Sequence, residues 1–325
     1  MHNTTLTVYS ADMEKLLTIQ VLGWNGAKHL RKTAEALSQA PNDIVIIRYI
    51  DNGSQDDSLK IIQEILPHAE ILQLDTNQGF AAAHNAGIKK CTTPFLLTLD
   101  QDQEIIWDGI SKLLDTMKKN PKLGAVQGKL YRKDGEKIID SAGIVHTLSL
   151  NGKERGSNKQ DIGQYEEIAD LLAVTGGCGL YRIQAIKEVA QDGQIFDEKF
   201  FAYKEDVDLG WRLQNMGWEV QYIPVLASYH ARTLGRRGLF NWGLSMSSIQ
   251  KRLASPRTKW SLRNYMWMIA KNAKTREIIF HWVFIKSRLF IFFILSLFSS
   301  DLFSVWKETW EGLKAMREKG KATRI

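Results

Sequence analysis

Four stretches in the first hundred residues are dominated by apolar positions, and each ends in a polar turn. "LLTIQVL" (Leu16 to Leu22), "IVIIRYI" (Ile44 to Ile50), the shorter "EILQL" and "PFLLTL" read as strands. Most are continuous apolar runs rather than alternating ones, which predicts burial on both faces, as in a parallel sheet. Helical patterns fall between them, near Ala27 to Gln39, near Asp56 to Leu66, and through "QGFAAAHNAGIKK". Strand and helix alternating in this way predict a doubly wound α/β domain. Such sheets bind ligands outside the carboxyl ends of their strands. "DNGS", after the second run, and "DQD", after the fourth, both stand at such ends.

From about Gly124 the pattern becomes irregular, with hairpins expected through "GAVQGKLYRKDGEKIIDSAGIVHTLSL". The polar loop "NGKERGSNKQDIGQ" suits a mobile flap over a site. "IADLLAVTGGCGLYR" reads as a strand and a glycine turn, and "EDVDLGWRLQNMG" as a helix closed by Gly217. Beyond Arg237 the chain reads as helical throughout. Residues 1–14 read as a polar leader, without the basic-then-apolar pattern of a secretory signal. The expected organisation is therefore a leader over 1–14, an α/β domain over 15–237 and a helical region over 238–325.

Composition sharpens this division. The chain has 325 residues and only two cysteines, Cys91 and Cys178, so no disulfide framework is expected and a reducing compartment fits. From Ala231 onward there are 19 Lys and Arg against 5 Asp and Glu, a net +14, whereas the preceding part carries about −7. Six of the ten tryptophans lie in the same basic part. A basic end points to an anionic partner, either nucleic acid or a membrane surface. The most apolar segment is "IIFHWVFIKSRLFIFFILSLFSS", Ile278 to Ser300. Roughly 20 apolar residues are needed to cross a bilayer, but Lys286 and Arg288 interrupt this one near its middle. The uninterrupted run from Leu289 to Phe298 suits a helix lying in the interface of an anionic membrane, or one packed in the core.

The candidate chemistry is acidic. Asp100 and Asp102, at i and i+2 after a strand, can converge on one hard cation such as Mg²⁺ or Mn²⁺, which takes oxygen ligands and keeps positions for phosphate. A lone D-x-D is more often a strand-end turn. A second cluster, "DEKFFAYKEDVDLGWRL", sets Asp197, Glu198, Glu205, Asp206 and Asp208 among Phe200, Phe201, Tyr203 and Trp211. Acidic residues suit a helix N-terminus, but the aromatic crowd also suits a sugar: rings to stack on and a carboxylate to take a hydroxyl proton. His230 follows an apolar strand. It reads as a core or surface histidine, or as a neutral imidazole completing a metal site.

Taken together, "LGWNG", "DNGSQDDS", "NQGFAAAHNAGI", "LLTLDQDQ", "TGGCGLYR", "FDEKFFAYKEDVDLGWRL" and "YIPVLASYH" resemble, in order and interval, an inverting nucleotide-sugar glycosyltransferase of family 2 with the GT-A fold. The likeness runs from about Leu16 to Arg237. It leans towards bacterial rhamnosyltransferases and galactofuranosyltransferases of surface polysaccharide synthesis. The resemblance implies that Asp51, with Trp24 and Asn25 of the "LGWN" turn, contacts the nucleobase. It implies that Asn77, Gly79 and Asn85 shape the donor pocket, with Gly176 and Gly177 a close wall near the sugar. Asp100, Asp102 and His230 would hold Mg²⁺ or Mn²⁺ on the diphosphate. Asp206 would be the base, and Glu205 and Trp211 would meet the acceptor. The implied partners are a dTDP- or UDP-sugar, a lipid-linked oligosaccharide and the inner face of the cell membrane. Departures from the family pattern are "GWN" after the first strand, Arg48 and Tyr49 in the second, and His84.

Three other classes fit less well. A nucleotidyltransferase would place a glycine-rich basic loop after the first strand, where only Lys28 stands. A nucleic-acid-binding protein would have no use for the acidic clusters, so no nucleic acid is expected as a partner. A dinucleotide-binding oxidoreductase lacks G-x-G-x-x-G there.

Overall fold

The computed structural model describes residues 15–133, 135–232, 255–297 and 299–323. The leader over 1–14 and the boundary expected near 237 lie outside the described residues. The N-terminal half winds as β1 (Leu17–Gly23), α1 (Ala27–Leu37), β2 (Val45–Asp51), α2 (Ser58–Ile65), β3 (Glu70–Gln73), α3 (Gly79–Ile88) and β4 (Phe95–Asp100). It continues through β5 (Gln103–Ile105), α4 (Trp107–Lys119), β6 (Leu123–Arg132), β7 (Ile139–Ser141), β8 (Ile144–Val145), β9 (Lys153–Glu154), β10 (Ala169–Asp170) and β11 (Cys178–Arg182). Then come α5 (Ile183–Glu188), one 3₁₀ turn (Glu198–Phe200), α6 (Glu205–Asn215) and β12 (Glu219–His230). Three further described helices follow: α7 (Pro256–Asn272), α8 (Thr275–Ser296) and α9 (Ser300–Lys321).

Ten strands form one mixed sheet in the order β10-β12-β6-β11-β4-β1-β2-β3, with β5 on β12 and β7 on β6. β1 pairs in parallel with both β2 and β4, so Gly23 stands beside Asp51, and Leu22 beside Asp100. β11 runs antiparallel to β4 and β6, while β12 runs parallel to β6. β1, β2, β4, β6 and β12 therefore all end at one edge, and the glycine turn that opens β11 meets them there. The expected double-sided burial holds for β1 and β4, where Ile19, Val21, Leu97 and Leu99 are fully buried. It fails for β3, an edge strand whose residues are mostly exposed.

Two other differences have local causes. "IADLLAVTGGCGLYR" is not one strand: β10 has two residues, and the chain leaves the sheet before β11. Leu171 to Val174 still enter the core, and their lost ladder is partly replaced by Gln214, whose Nε2 donates to the carbonyls of Leu171 (2.8 Å) and Leu172 (2.7 Å). Two of the residues that depart from the family pattern, Arg48 and His84, are structural. Arg48 is buried and donates to Glu70 (2.6 and 2.9 Å) and to the Gly87 carbonyl (2.7 Å), while His84 meets Gln20 Nε2 through Nδ1 at 2.7 Å. Burial pulls the His84 imidazole down to about 3, so it is neutral.

The C-terminal helices pack on α6 rather than trailing from it. Lys271 of α7 is fully buried, with its ammonium 2.9 Å from both Asp197 and Asp208. Arg212 and Asn272 also reach Asp208 (3.0 and 2.8 Å), and Lys319 of α9 reaches Asp197 at 3.1 Å. Helix α8 is different. It is 22 residues long, with an apolar window of mean hydropathy 1.9 that is 6% buried, long and apolar enough to cross a membrane by length and composition. It is not a core helix, because Ile279, Phe280, Phe290 and Leu297 are 66, 79, 64 and 57% exposed. Of its two interrupting charges, Arg288 turns onto the protein's own Tyr265 and Phe292 rings (4.9 and 5.1 Å). Lys286 lies 4.9 Å from Trp282.

Removing one side of a buried ion network leaves uncompensated charge, which typically costs about 3–5 kcal/mol. Lys271→Met should lower unfolding stability by that order in chemical denaturation; a loss under about 1 kcal/mol would contradict the network's role. Burial raises Asp197, but Lys271 and Lys319 outweigh it and hold the carboxyl at about 2. Its stabilisation is thus complete above the unfolded value near 4 and should fade as pH falls towards 2.

Candidate active site

The edge where the strands end opens into a cavity of about 1010 Å³. Its walls include Trp24, Asn25, Asn77, Gly79, Asp100, Asp102, Gly176, Gly177, Glu205, Asp206 and His230. Thus eleven of the fourteen residues singled out from sequence do line one space, although they come from segments far apart in the chain.

β4 delivers Asp100, the following turn delivers Asp102, and the antiparallel pairing of β5 with β12 sets Gln103 against His230. The Ala231 N–H donates to the Asp102 carbonyl at 2.9 Å, which fixes the strand end against the turn. One ligand atom from each of Asp100, Asp102 and His230 lies within 4.8 Å of the others. His230 Nε2 faces Asp102 at 3.2 Å, and its Nδ1 meets Asp140 at 2.8 Å. Asp140 is in turn ion-paired with Arg232, which also reaches Glu154 at 2.6 Å.

Burial lowers His230, yet its bonds to Asp102 and Asp140 outweigh that and raise the imidazole to about 10. Desolvation, with Asp102 alongside, pushes Asp100 up to about 6. A positive charge is therefore wanted between these carboxylates, and the imidazole proton fills that need. Two carboxylates and an imidazole, the latter oriented by an outer carboxylate, fit a hard divalent cation.

Glu205 and Asp206 open helix α6, whose first turn also holds Asp208, an arrangement favoured by the helix dipole. The two carboxyls differ. Burial, then the Asp206 charge, pushes Glu205 well above the ordinary carboxylate range, and its Oε2 is buried without a hydrogen-bond partner among the described residues. Burial raises Asp206 as well, but Lys204 and the N–H groups of Val207 and Gly176 pull it back. Those N–H groups donate to Asp206 at 2.8 and 3.2 Å. Asp206 is still raised overall, but of the pair it is the one with N–H donors on its oxygens, and Glu205 is pushed higher.

The two clusters meet at Gly176–Gly177. The Gly176 N–H holds Asp206, while a Cβ on Gly177 would sit 2.4 Å from Asp100 Oδ2. No side chain fits there, so the dipeptide is the thin wall between the cation ligands and Asp206.

The approach to Asp206 is strained. Phe201, Tyr203 and Lys204 have φ of 62, 71 and 77°, and strain of this kind costs about 1–3 kcal/mol per residue. The path puts Phe201, Ala202 and Tyr203 on the cavity wall, where Trp260 of α7 packs against the Phe201 ring at 4.6 Å. On the opposite side, the "LGWN" turn is held by Gln101, which accepts from Trp24 N at 2.8 Å, and leaves Trp24 49% exposed.

Three residues expected in the site are elsewhere. Asn85 does not shape the pocket: its amide bonds the Phe196 N–H and carbonyl (3.0 and 2.7 Å) and Glu198 (3.0 Å), tying α3 to the 3₁₀ turn. Trp211 does not line the cavity: it is 2% exposed, in the core against His146 at 5.1 Å, because its place on α6 faces inward. Asp51 is buried beside the site rather than lining it and accepts from Ser54 N at 3.0 Å, while Asn52 takes the wall position.

Sequence reasoning missed Asp140, Glu154, Arg232, Arg257 and Trp260, all on the cavity wall. Arg232 stood two residues beyond His230 and was findable. Asp140 and Glu154 lie in short irregular strands with no pattern. Ser255–Pro256 does announce a helix start, with Ser255 accepting from the Thr258 N–H, but nothing local says that this helix returns to the cavity.

The sequence model of glycosyl transferase family 2 matches residues 21–190, and the chain belongs to this family. Over 192 residues, 58% of this chain and 42% of the relative, it is 27% identical to the poly-beta-1,6-N-acetyl-D-glucosamine synthase of Staphylococcus epidermidis. It is also 24% identical, over 82% of this chain and 92% of the relative, to the N-acetylglucosaminyl-diphospho-decaprenol L-rhamnosyltransferase of Mycobacterium tuberculosis. The chain thus spans about two-fifths of the synthase but nearly all of the rhamnosyltransferase. Among solved structures, S. aureus TarS residues 1–349, also determined in complex with UDP, shares the fold with a TM-score of 0.52 at 14% identity, covering 94% of this chain and 91% of that one.

Asp102→Ala tests the cation site directly. Calorimetry of a nucleoside diphosphate should show affinity lowered at least about tenfold with Mn²⁺ and unchanged without it, since losing even an outer partner of a metal ligand costs about 10–100-fold. An undiminished response to Mn²⁺ in the variant would remove Asp102 from the ligand set.

Proposed function

We propose that the protein is an inverting, metal-dependent glycosyltransferase that moves a sugar from a nucleotide donor to a lipid-linked saccharide at the cytoplasmic face of a membrane. L-Rhamnose from dTDP-rhamnose is the first candidate donor, supported by the likeness to the mycobacterial rhamnosyltransferase over most of both chains. N-acetylglucosamine is the second, favoured by the likeness to the staphylococcal synthase; galactofuranose and glucose complete the donor screen. The observation that carries the reading is the arrangement at Gly176–Gly177. A cation-ligand cluster and a buried carboxylate pair share one cavity, separated only by two residues without side chains.

The chemistry follows from that arrangement. Bound Mg²⁺ or Mn²⁺ would neutralise the charge that develops on the departing diphosphate, held by Asp100, Asp102 and His230. Asp206 accepts the proton of the acceptor hydroxyl. The acceptor oxygen then bonds to the anomeric carbon as the bond from that carbon to the diphosphate breaks, and configuration inverts in one displacement. Glu205, neutral and with an unmatched buried oxygen, is placed to hydrogen-bond the acceptor. Trp24 and Asn25 flank the donor end, with Asn77 and Gly79 on the adjoining wall.

The exposed face of α8 supports the membrane part of the proposal. An apolar helix face flanked by a basic region suits an anionic bilayer surface, and a lipid-linked acceptor presents its sugar at that surface.

Asp206→Asn keeps shape and removes the base. Turnover of dTDP-rhamnose with N-acetylglucosaminyl-diphospho-polyprenol, or of the donor that replaces it in the screen, should fall by about 100- to 10,000-fold. Near wild-type turnover would pass the role to Glu205. For the membrane, full-length protein should float with anionic vesicles and partly detach in high salt. The variant Ile279→Glu, Phe280→Glu, Phe290→Glu should remain in the soluble fraction while still binding nucleotide. Wild-type protein that never floats at low salt contradicts the membrane reading, and release only by detergent would make α8 a span.

A further inference from the structure

Two adjacent side chains of α7, Asn264 and Arg263, hold the strained path into Asp206. Asn264 of α7 is fully buried, and its Nδ2 lies 2.9, 2.9 and 2.8 Å from the carbonyls of Phe200, Ala202 and Tyr203. Its Oδ1 accepts from Arg263 Nε at 3.0 Å. Arg263 Nη2 then donates to the carbonyls of Lys199 (2.9 Å) and Phe200 (3.3 Å). The adjacent pair thus gathers four of the five carbonyls from Lys199 to Tyr203, in the segment where Phe201, Tyr203 and Lys204 adopt positive φ.

A segment with three non-glycine residues in that region does not hold its shape unaided. Converging carbonyls repel one another unless donors stand between them, and each would be buried unsatisfied without a partner. The Asn264 amide supplies those donors at the point of convergence. Two consequences reach the reaction. Phe201, Ala202 and Tyr203 lie on the cavity wall. Lys204, the last strained residue, leads directly into Glu205 and Asp206, so its backbone direction sets where the two carboxyls point.

We propose that Asn264, supported by Arg263, is a positioning residue of the transfer reaction: it holds residues 200–204 in their strained path and thereby sets the Asp206 carboxylate and the aromatic wall beside it. The role rests on the reading of Asp206 as the base. It makes α7 part of the active site's construction rather than an appended anchor. The cation cluster is built on β4, β5 and β12, and the loop meets the donor side through the Phe201 carbonyl, which Asn264 does not bind and which accepts from the Ala81 N–H at 3.3 Å, so the two halves of the site respond differently to the loss of Asn264.

Full-length Asn264→Ala is compared with wild type in three measurements. Calorimetry with nucleoside diphosphate and Mn²⁺ should give unchanged affinity, showing an intact fold and donor half. Hydrogen–deuterium exchange should rise selectively in peptides covering 199–207. Turnover of dTDP-rhamnose with N-acetylglucosaminyl-diphospho-polyprenol, or of the pair the screen supports, should fall by about 10–100-fold in kcat, as misplacement of a reacting group by about 1 Å does, with the donor KM unchanged. Asn264→Asp, which keeps the shape but replaces the donors by acceptors, should be at least as impaired. If Asn264→Ala does not fold, Asn264→Ser, which retains one donor, carries the same measurements. Wild-type exchange in 199–207 together with wild-type turnover in the folded variant overturns the proposal, and so does raised exchange with no loss of kcat. A failed base assignment is distinguishable, because it shows as active Asp206→Asn, whereas this proposal fails in the Asn264 variants.

Discussion

Six carboxyl groups, those of Asp100, Asp102, Asp140, Glu154, Glu205 and Asp206, face one cavity, and like charges this close cannot all be ionised without compensation. The chain meets this constraint in three ways. Arg232 and the raised imidazole of His230 balance Asp140, Glu154 and Asp102. Burial and the Asp206 charge push Glu205 well above the ordinary carboxylate range, which disfavours its anion. Asp206 keeps an anion's surroundings through Lys204 and two backbone N–H groups. With His230 neutral, Asp100 and Asp102 would both lose the positive charge of its imidazolium. On the proposed reading, a divalent cation arriving with a diphosphate would supply that charge instead.

The same economy explains why the helices after β12 are inseparable from the site. Alternating strands and helices bring the nucleotide side to one sheet edge with little strain, since it needs only strand ends and a glycine turn. The Asp206 side needs a carboxylate at a helix start, aimed past a wall of two glycines, and reaches that direction through three residues at positive φ. The compensating interactions come from α7 and α9: Asn264 and Arg263 on the loop carbonyls, and Lys271 and Lys319 on Asp208 and Asp197. Helix α8 is left with an apolar outer face while its neighbours grip the catalytic half. On the proposed reading, one helical layer would both support Asp206 and face the surface from which a lipid-linked acceptor comes.

Much of this was legible in the chain. Apolar runs and polar turns placed β1, β2 and β4 within a residue or two, because buried parallel strands leave an unbroken apolar signature. "DQD", "YKED" and the histidine that ends β12 marked the cavity because several such motifs occur together in the family's order, where each alone is ordinary. Legibility failed where identity did not determine direction. Trp211 is expected in the site from the aromatic crowd around it and Asn85 from the family resemblance, but the helical periodicity of α6 turns Trp211 inward and Asn85 braces a turn more than a hundred residues away in sequence. Asp140, Glu154 and Asn264 gave no local signal, since their roles exist only once distant segments meet. The departures Arg48 and His84 looked like altered chemistry and are internal hydrogen-bonding groups.

The central claim is that the carboxylate edge of the sheet holds a cation on a nucleotide diphosphate, one glycine pair away from the base. A crystal structure of the full chain with Mn²⁺ and a nucleoside diphosphate, using anomalous scattering from manganese, tests it most directly. The account predicts one anomalous peak in contact with Asp102, His230 and the diphosphate oxygens, with Asp206 across Gly176–Gly177. Nucleotide bound without manganese at that cluster, or manganese bound elsewhere, would contradict it.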